Sequence, residues 1–134
     1  MPATIPDSHL DLVQKPLTVT LATVLSDGQP HLTAVWVIYE PDGDLLISTL
    51  IDSQKAKNIQ DNPQTSILAI DTEQPYRYLE VRCHAVLQQD EKVPDIRRRI
   101  MVKYGRTPTE DSEPVKRVIL RLTPTDVLAH GSDS

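Results

Sequence analysis

The alternation of apolar and polar residues predicts a strand near the start of the chain. In "LTVTLATVL" (17–25), Leu17, Val19 and Leu21 fall on one face, and Thr18 and Thr20 fall on the other. A period of two residues over this length is typical of a half-buried strand. The "SDGQ" that follows contains an Asp-Gly pair, which is a strong hairpin signal. A second strand, "HLTAVWVIY" (31–39), comes next.

The same pattern continues along the chain and predicts a single mainly β domain over residues 1–134. Further strands are expected at 45–50, 65–70, 78–88 and 115–124, helices at 7–14, 53–61 and 92–105, a loop at 106–114, and a frayed tail at 130–134. No internal repeat or domain boundary interrupts this series. Short, regularly spaced strands joined by turns favour a closed or nearly closed barrel. The predicted fold is a six-stranded antiparallel barrel with short helices.

Helix ends are marked by capping residues and by glycine and proline. Asp7 or Ser8 is expected to cap the first helix, and the second helix is expected to begin near Asp52 or Ser53. In the third helix, Pro94 fits the first turn and Gly105 fits the C-terminal stop.

Two segments of the predicted sheet, "HLTAVWVIY" and "ISTLI", are apolar on both faces. Antiparallel sheets normally expose one face to water, so something must cover the second one. A partner subunit is the simplest cover, and a flat aromatic cofactor is a compatible addition. Trp36 is interpreted as a core residue first, then as a dimer contact, then as a ring-stacking partner.

Composition excludes several classes of function. The net charge of the 134 residues is -5, which is unlike a nucleic-acid-binding surface. The one cysteine, Cys83, allows no intramolecular disulfide and is predicted to be a small core residue. The four histidines lack metal-ligand spacing, so no metal site is expected. Without a signal sequence or a long apolar run, we expect a soluble cytoplasmic protein with no membrane contact.

The segment "STLIDSQKAKNIQDNP" (48–63) carries the most specific chemistry. Lys55 and Lys57 fall in the first turn of the predicted helix, where cations are unfavourable unless an anion is present. Free N–H groups together with lysines form a common phosphate site, and Ser48 and Thr49 could add hydroxyls. The alternative is a pair of solvated lysines, since positions 55 and 57 lie roughly 200° apart on an ideal helix.

The order "LATVLSDGQPHLTAVWVIYEPDGDLLISTLIDSQKAKNIQDNP" resembles the split β-barrel, FMN-binding-type proteins of the pyridoxamine 5′-phosphate oxidase-like superfamily. Within them it is most similar to the small flavin/deazaflavin oxidoreductases of the B group. The segments "YLEVRCHAVL" and "RVILRLTPTDVLAHG" extend the resemblance to about residues 8–129. The chain lacks the C-terminal extension of the true oxidase, so oxidation of pyridoxamine phosphate is not expected.

The resemblance implies a homodimer that holds FMN or the deazaflavin coenzyme F-420 at the subunit interface. It places the flavin ring along one strand, the ring or ribityl chain beside the next strand, and the phosphate at the following helix. The corresponding residues are Thr33, Ala34, Val35 and Trp36 for the ring, Ser48 and Thr49 for the chain, and Gln54, Lys55 and Lys57 for the phosphate. The acidic tail of the deazaflavin would need a further basic groove, for which Arg77, Arg82 and the arginines at 97–99 are candidates.

Three functions are compatible with the sequence. The first is an oxidoreductase that transfers hydride between the bound cofactor and a small conjugated acceptor, with no dedicated acid–base side chain. The second is a dimeric module that binds or sequesters flavin without turnover. The third is a dimeric interaction protein without a cofactor.

Overall fold

A computed structural model describes residues 3–109 and 116–131 of the chain. The elements are α1 (Asp11–Gln14), β1 (Val19–Val24), β2 (Pro30–Val35), β3 (Ile38–Tyr39), β4 (Leu45–Leu50), α2 (Gln54–Asp61), β5 (Gln64–Ile70), β6 (Tyr78–Gln88), α3 (Val93–Lys103) and β7 (Arg117–His130). All of the strand pairs are antiparallel. The mainly β fold with short helices is therefore as predicted.

The seven strands form one sheet in the order β2-β1-β5-β6-β7-β4-β3. Its two edge strands, β2 and β3, are successive pieces of the segment that the sequence predicts as a single strand. This segment pairs with β1 as far as Val35 and with β4 from Ile38 onwards. The sheet therefore curls until its two edges are joined by Trp36 and Val37. The predicted count of six strands is therefore one too few, because this segment is divided between opposite edges of the sheet.

The last strand is longer than predicted. β7 pairs with the whole of β6, from Gln88↔Ile119 to Tyr78↔His130. The predicted end at Pro124 is wrong because the proline lies at a register shift opposite Cys83, where a missing N–H is tolerated. His130, predicted in the frayed tail, is paired in this strand, whereas residues 132–134 and 110–115 lie outside the described part of the chain.

Two hydrophobic clusters pack on opposite sides of the sheet. The larger fills the inside of the curled sheet and includes Cys83, which is buried as predicted. The smaller one joins Ile38, Leu46 and Ile119 on the outer side to the buried face of α3, formed by Val93, Ile96 and Ile100. A helix of the same chain, not a partner subunit, therefore covers the second apolar face of β3 and β4.

The ends of some helices lie where the sequence predicts them, and the start of the first helix does not. Ser53 is the N-cap of α2, so this helix starts where the sequence predicts, and Gly105 ends α3 with a φ of 75°, also as predicted. The first helix begins at Asp11 instead of at residue 7, and no side chain caps it. Ser8 does not serve as the cap because its hydroxyl bonds to the His9 ring at 2.9 Å.

The N-terminal segment is held to the barrel by a buried arginine. Arg77, whose side chain is only 4% exposed, donates to both carboxylate oxygens of Asp11, to Asp71 and to the carbonyl of Ser8. The guanidinium of Arg77 holds the pKa of Asp11 below its usual range. These bonds fix α1 against the β5–β6 connection.

Within residues 3–109 and 116–131, no helix is long and apolar enough to cross a membrane. The same residues contain no group of three or more His, Cys, Asp or Glu side chains placed to hold a metal ion.

Candidate functional site: a basic groove beside the strand break

A groove of about 860 Å³ lies between the break in the edge strand, the end of β4 and one side of α3. Its lining comes from six parts of the chain: Ala34, Val35, Trp36, Ser48, Thr49, Leu50, Lys55, Arg97, Ile100, Met101, Arg106, Thr107 and Arg117. The volume is in the range of pockets that bind small molecules and cofactors.

The start of α2 forms one part of the groove. Ser53 accepts a hydrogen bond from the backbone N–H of Ala56 and is itself held by the hydroxyl of Thr49 at 3.1 Å. Lys55, in the first turn, is half-buried in the groove, and burial lowers its pKa. An anion beside Lys55 would favour its charged form and would also complement the positive end of the helix.

Ser48 contributes a buried hydroxyl whose Oγ has no hydrogen-bond partner in the described part of the chain. Such groups are rare because losing water without gaining a partner costs free energy. Ser48 lines the groove at the end of β4, so a polar ligand group bound there would supply the missing partner. The hydroxyl of Thr33 is buried without a partner as well, but Thr33 does not line the groove.

An aromatic stack supports the wall of the groove at the strand break. The rings of Trp36 and Tyr104 are 4.7 Å apart with an interplanar angle of 9°, and the Arg106 guanidinium lies 5.6 Å from the Trp36 centroid. Trp36 thus packs at the edge of the smaller cluster and faces the groove. It is not the fully buried core residue that ranked first among its predicted roles.

The backbone at the break is bonded to the end of α3 instead of to a neighbouring strand. Val37 N–H donates to the Tyr104 hydroxyl, and the Val37 carbonyl accepts from Lys103 Nζ at 2.7 Å. Lys103 also donates to the carbonyl of Val13, and Tyr104 to that of Leu17. Burial lowers the pKa of Lys103 to about 8.

Three arginines line the groove from separate parts of the chain: Arg97 on α3, Arg106 just after it, and Arg117 at the start of β7. Of these three, only Arg97 is among the residues that the sequence suggests for a basic groove. The other candidates lie elsewhere, since Arg77 is buried in the N-terminal network and Arg82 is exposed beside Glu80. Arg99 pairs with Glu40 at 2.6 Å. No periodic signal in the sequence marks Arg106 or Arg117.

The structure brings together only part of the predicted cofactor set. Six of its residues line the groove: Ala34, Val35, Trp36, Ser48, Thr49 and Lys55. Three others do not, namely Thr33, Gln54 and Lys57. Gln54 instead donates to the side chain of Asn58 at 2.6 Å, and Lys57 is exposed. The helical phase separates Lys57 from Lys55, as the spacing of the two lysines indicated.

Comparison with known proteins agrees with this architecture. The chain is 31% identical to an F-420 reductase of known structure, with a TM-score of 0.83, covering 92% of this chain and 98% of that one. A conserved hypothetical protein from Mycobacterium tuberculosis is 27% identical, with a TM-score of 0.75 and coverage of 95% and 85%. The heme storage protein HutZ from Vibrio cholerae, at 20% identity, TM-score 0.68 and 92% coverage of each chain, shares the fold.

No curated protein sequence matches the chain. The family model for pyridoxamine 5′-phosphate oxidase matches residues 5–131, which is nearly the whole sequence. This match agrees with the curled antiparallel sheet and its few short helices. The chain therefore belongs to the pyridoxamine 5′-phosphate oxidase-like family of split-barrel proteins.

Proposed function

We propose that this protein is an oxidoreductase that transfers hydride between bound coenzyme F-420 or FMN and a small conjugated acceptor. The observation that carries the proposal is the buried, unpartnered Ser48 hydroxyl in the same groove as Lys55 at the start of α2. The groove thus combines a missing polar partner with a cation at a helix N-terminus, and both features suit a phosphorylated polar cofactor.

Each part of the groove has a role in this proposal. Lys55 and the first turn of α2 hold the phosphate, Ser48 and Thr49 contact the ribityl chain or ring, and Ala34 to Trp36 line the ring. The cofactor supplies the hydride chemistry, while the protein supplies position and electrostatics. We assign no acid–base side chain. Thr33, Gln54 and Lys57 contribute at most backbone or peripheral contacts, because they do not line the groove.

We propose a homodimer that completes the groove across the outer face of β1, β2 and β5. On this face Leu32 is 63% exposed, opposite Ala22, and Ala34 lies opposite Thr20. Leu68 of β5 continues the same apolar surface beside Thr20. Ala34 belongs both to this face and to the groove, so a second copy packed there would reach the cofactor site.

The 31% identity to an F-420 reductase favours the deazaflavin over FMN. Cys83 is a buried free thiol, which agrees with the proposed location in the reducing cytoplasm. No membrane or nucleic-acid partner is proposed.

Binding can be measured through Trp36, because it is the only tryptophan in the chain. Titration with coenzyme F-420 and with FMN should quench its fluorescence, since the ring would lie against it. Lys55→Met should weaken binding by about 10- to 100-fold through loss of a charge-assisted contact. Lys57→Met is the matched control and should change binding by less than about threefold. Binding of neither cofactor, or equal effects of the two substitutions, would contradict the proposed site.

Turnover separates the enzyme from a sequestering module. The reduced cofactor, bound to the protein, is mixed with quinones, enones or linear tetrapyrroles, and its reoxidation is followed by absorbance. Acceptor-dependent reoxidation faster than that of the free reduced cofactor is expected. Tight binding with no acceleration for any of the acceptors would favour the sequestering module.

A further inference from the structure

Lys103 is a half-buried cation that the proposed reaction does not use, and it lies where three parts of the chain meet. At the end of α3, its ammonium donates to the carbonyl of Val13 at 2.6 Å and to that of Val37 at 2.7 Å. It also lies 5.3 Å from the centroid of the Tyr104 ring. Lys103 therefore joins α1, the break in the edge strand and the end of α3.

No carboxylate balances this charge in the described part of the chain, because Lys103 forms no ion pair there. The charged groups of the elements around it are paired with each other. Asp11 of α1 pairs with Lys15 at 3.4 Å, and Glu40, next to β3, pairs with Arg99 of α3 at 2.6 Å. Burial without a counter-ion lowers the pKa of Lys103 to about 8, so its proton is gained and lost close to neutral pH.

The bond to Val37 places Lys103 next to the wall of the groove. Trp36, which lines the groove, precedes Val37, and neither residue is paired with a neighbouring strand. The N–H of Val37 donates instead to the Tyr104 hydroxyl, and the Tyr104 ring stacks on Trp36 with the centroids 4.7 Å apart. Lys103 and Tyr104 thus hold both backbone polar groups of Val37 and fix the position of Trp36.

We propose that Lys103 is a pH-dependent switch, whose protonated form holds the strand break and Trp36 in the conformation that forms the groove wall. Loss of the proton at alkaline pH loosens this wall. A neutral amine forms weaker hydrogen bonds to carbonyls than an ammonium does, and it loses the attraction of a cation to the Tyr104 ring. The switch concerns the wall itself, whereas its effect on cofactor affinity rests on the proposed function.

The first experiment follows the fluorescence of Trp36 in the ligand-free protein from about pH 6.5 to 9.5. The wild type should show a transition with a midpoint at about 8. Lys103→Arg stays charged throughout, so its emission should remain that of the wild type at low pH. Lys103→Met should emit at every pH as the wild type does at high pH. Lys57→Met is the control and should keep the transition, since Lys57 is exposed and does not line the groove.

Two other titrating groups near Trp36 are separated from Lys103 in the same experiment. Lys55 lines the groove, and burial lowers its pKa as well. Lys55→Met should therefore keep the transition if Lys103 causes it. Burial raises the pKa of Tyr104, so its ionisation lies above the pH range measured.

The second experiment measures the affinity for coenzyme F-420 and for FMN at about pH 7 and 9.5 in the wild type and in Lys103→Arg. Ionisation of Lys55 and of the ligands is common to both proteins. Between these two pH values, the wild type should lose at least about threefold more affinity than Lys103→Arg, because only the wild type can release the wall.

The switch is overturned if the wild type shows no fluorescence transition, if Lys103→Arg shows the same transition, or if Lys55→Met abolishes it. Equal losses of affinity in the wild type and Lys103→Arg would overturn its link to binding. Failure of the proposed function has a different signature. In that case neither cofactor binds at any pH, while the Lys103-dependent transition of Trp36 persists and supports the switch.

Discussion

Ser48 and Thr33 each bury a hydroxyl without a hydrogen-bond partner, but they differ in what lies beside them. Ser48 faces the groove, whereas Thr33 does not line it. An unsatisfied buried hydroxyl costs stability, and a protein gains nothing from it unless a ligand uses it. Substitutions of these two residues can therefore be compared: the Ser48 hydroxyl is expected to contact a ligand, and the Thr33 hydroxyl is not.

We expect Ser48→Ala to raise the free energy of unfolding of the cofactor-free protein by about 1 kcal/mol, because the unpartnered hydroxyl is removed. The same change should weaken cofactor binding severalfold. Thr33→Val should stabilise the protein in the same way but leave binding unchanged. Urea denaturation and Trp36 quenching measure the two effects. Loss of stability in Ser48→Ala would show that the hydroxyl already has a partner in the free protein.

Among the elements, the end of α3 determines the shape of the edge strand. Lys103 and Tyr104 satisfy the backbone of Val37 at the break, and Tyr104 also supports the Trp36 ring. Without these contacts, the polar groups of the break would be left unpaired beside the groove. The helix α3 therefore packs over the smaller hydrophobic cluster and, through its C-terminal residues, holds the wall of the groove in place.

Lys103 should make stability depend on pH. Burial lowers its pKa in the folded protein to about 8, whereas an unfolded lysine titrates near ~10.4. Between these values the unfolded chain binds more protons, so the free energy of unfolding should rise with pH from about 8 to 10. In Lys103→Met this rise should be smaller. Urea titrations at several pH values test it, and identical slopes in both proteins would contradict the prediction.

Across the whole molecule, a few long-range contacts join the N-terminal segment to the sheet and to α3. Arg77 ties α1 to the β5–β6 connection, and Lys103 bonds the carbonyl of Val13 at the end of the same segment. The N-terminal residues are thus part of the folded barrel. The outer face around Leu32, by contrast, is apolar, and no other part of the described chain packs over Leu32, which is 63% exposed.

Arg77→Met should lower the free energy of unfolding by about 3 kcal/mol, because a buried charge network loses its central cation. Arg82→Met removes a cation from β6, the strand that follows Arg77, but its side chain is 51% exposed, and we expect a change below about 0.5 kcal/mol. The difference should shrink as acid neutralises Asp11, whose pKa is held low by Arg77. Equal effects of the two substitutions in urea denaturation would contradict the importance of this network.

Leu32→Glu should convert the proposed homodimer to a monomer, because a charge would be buried against an apolar surface. Val102→Glu is the control, since Val102 is also well exposed, at 59%, but lies on α3 away from β2. Sedimentation equilibrium gives the mass of each protein. A wild-type monomer, or dimerisation of Leu32→Glu equal to that of the control, would argue against this interface.

The sequence by itself determined the elements whose signals are local. Period-two alternation predicts β1 and β6, the Asp27-Gly28 pair predicts the hairpin, and Ser53 predicts the start of α2. The charges of the "SQKAK" segment likewise indicate an anion site, because the helix N-terminus is positive whatever the surrounding fold. Residues close in sequence carry these interactions, so they can be recognised without knowing what they contact.

Only the tertiary structure decided the features that depend on distant partners. The break at Trp36 follows from contacts with Tyr104, and the length of β7 follows from pairing with β6. The convergence of Arg97, Arg106 and Arg117 follows from the way α3 packs on the sheet. Each depends on side chains or strands far apart along the chain, whose proximity no local pattern of hydrophobicity, charge or turn residues encodes.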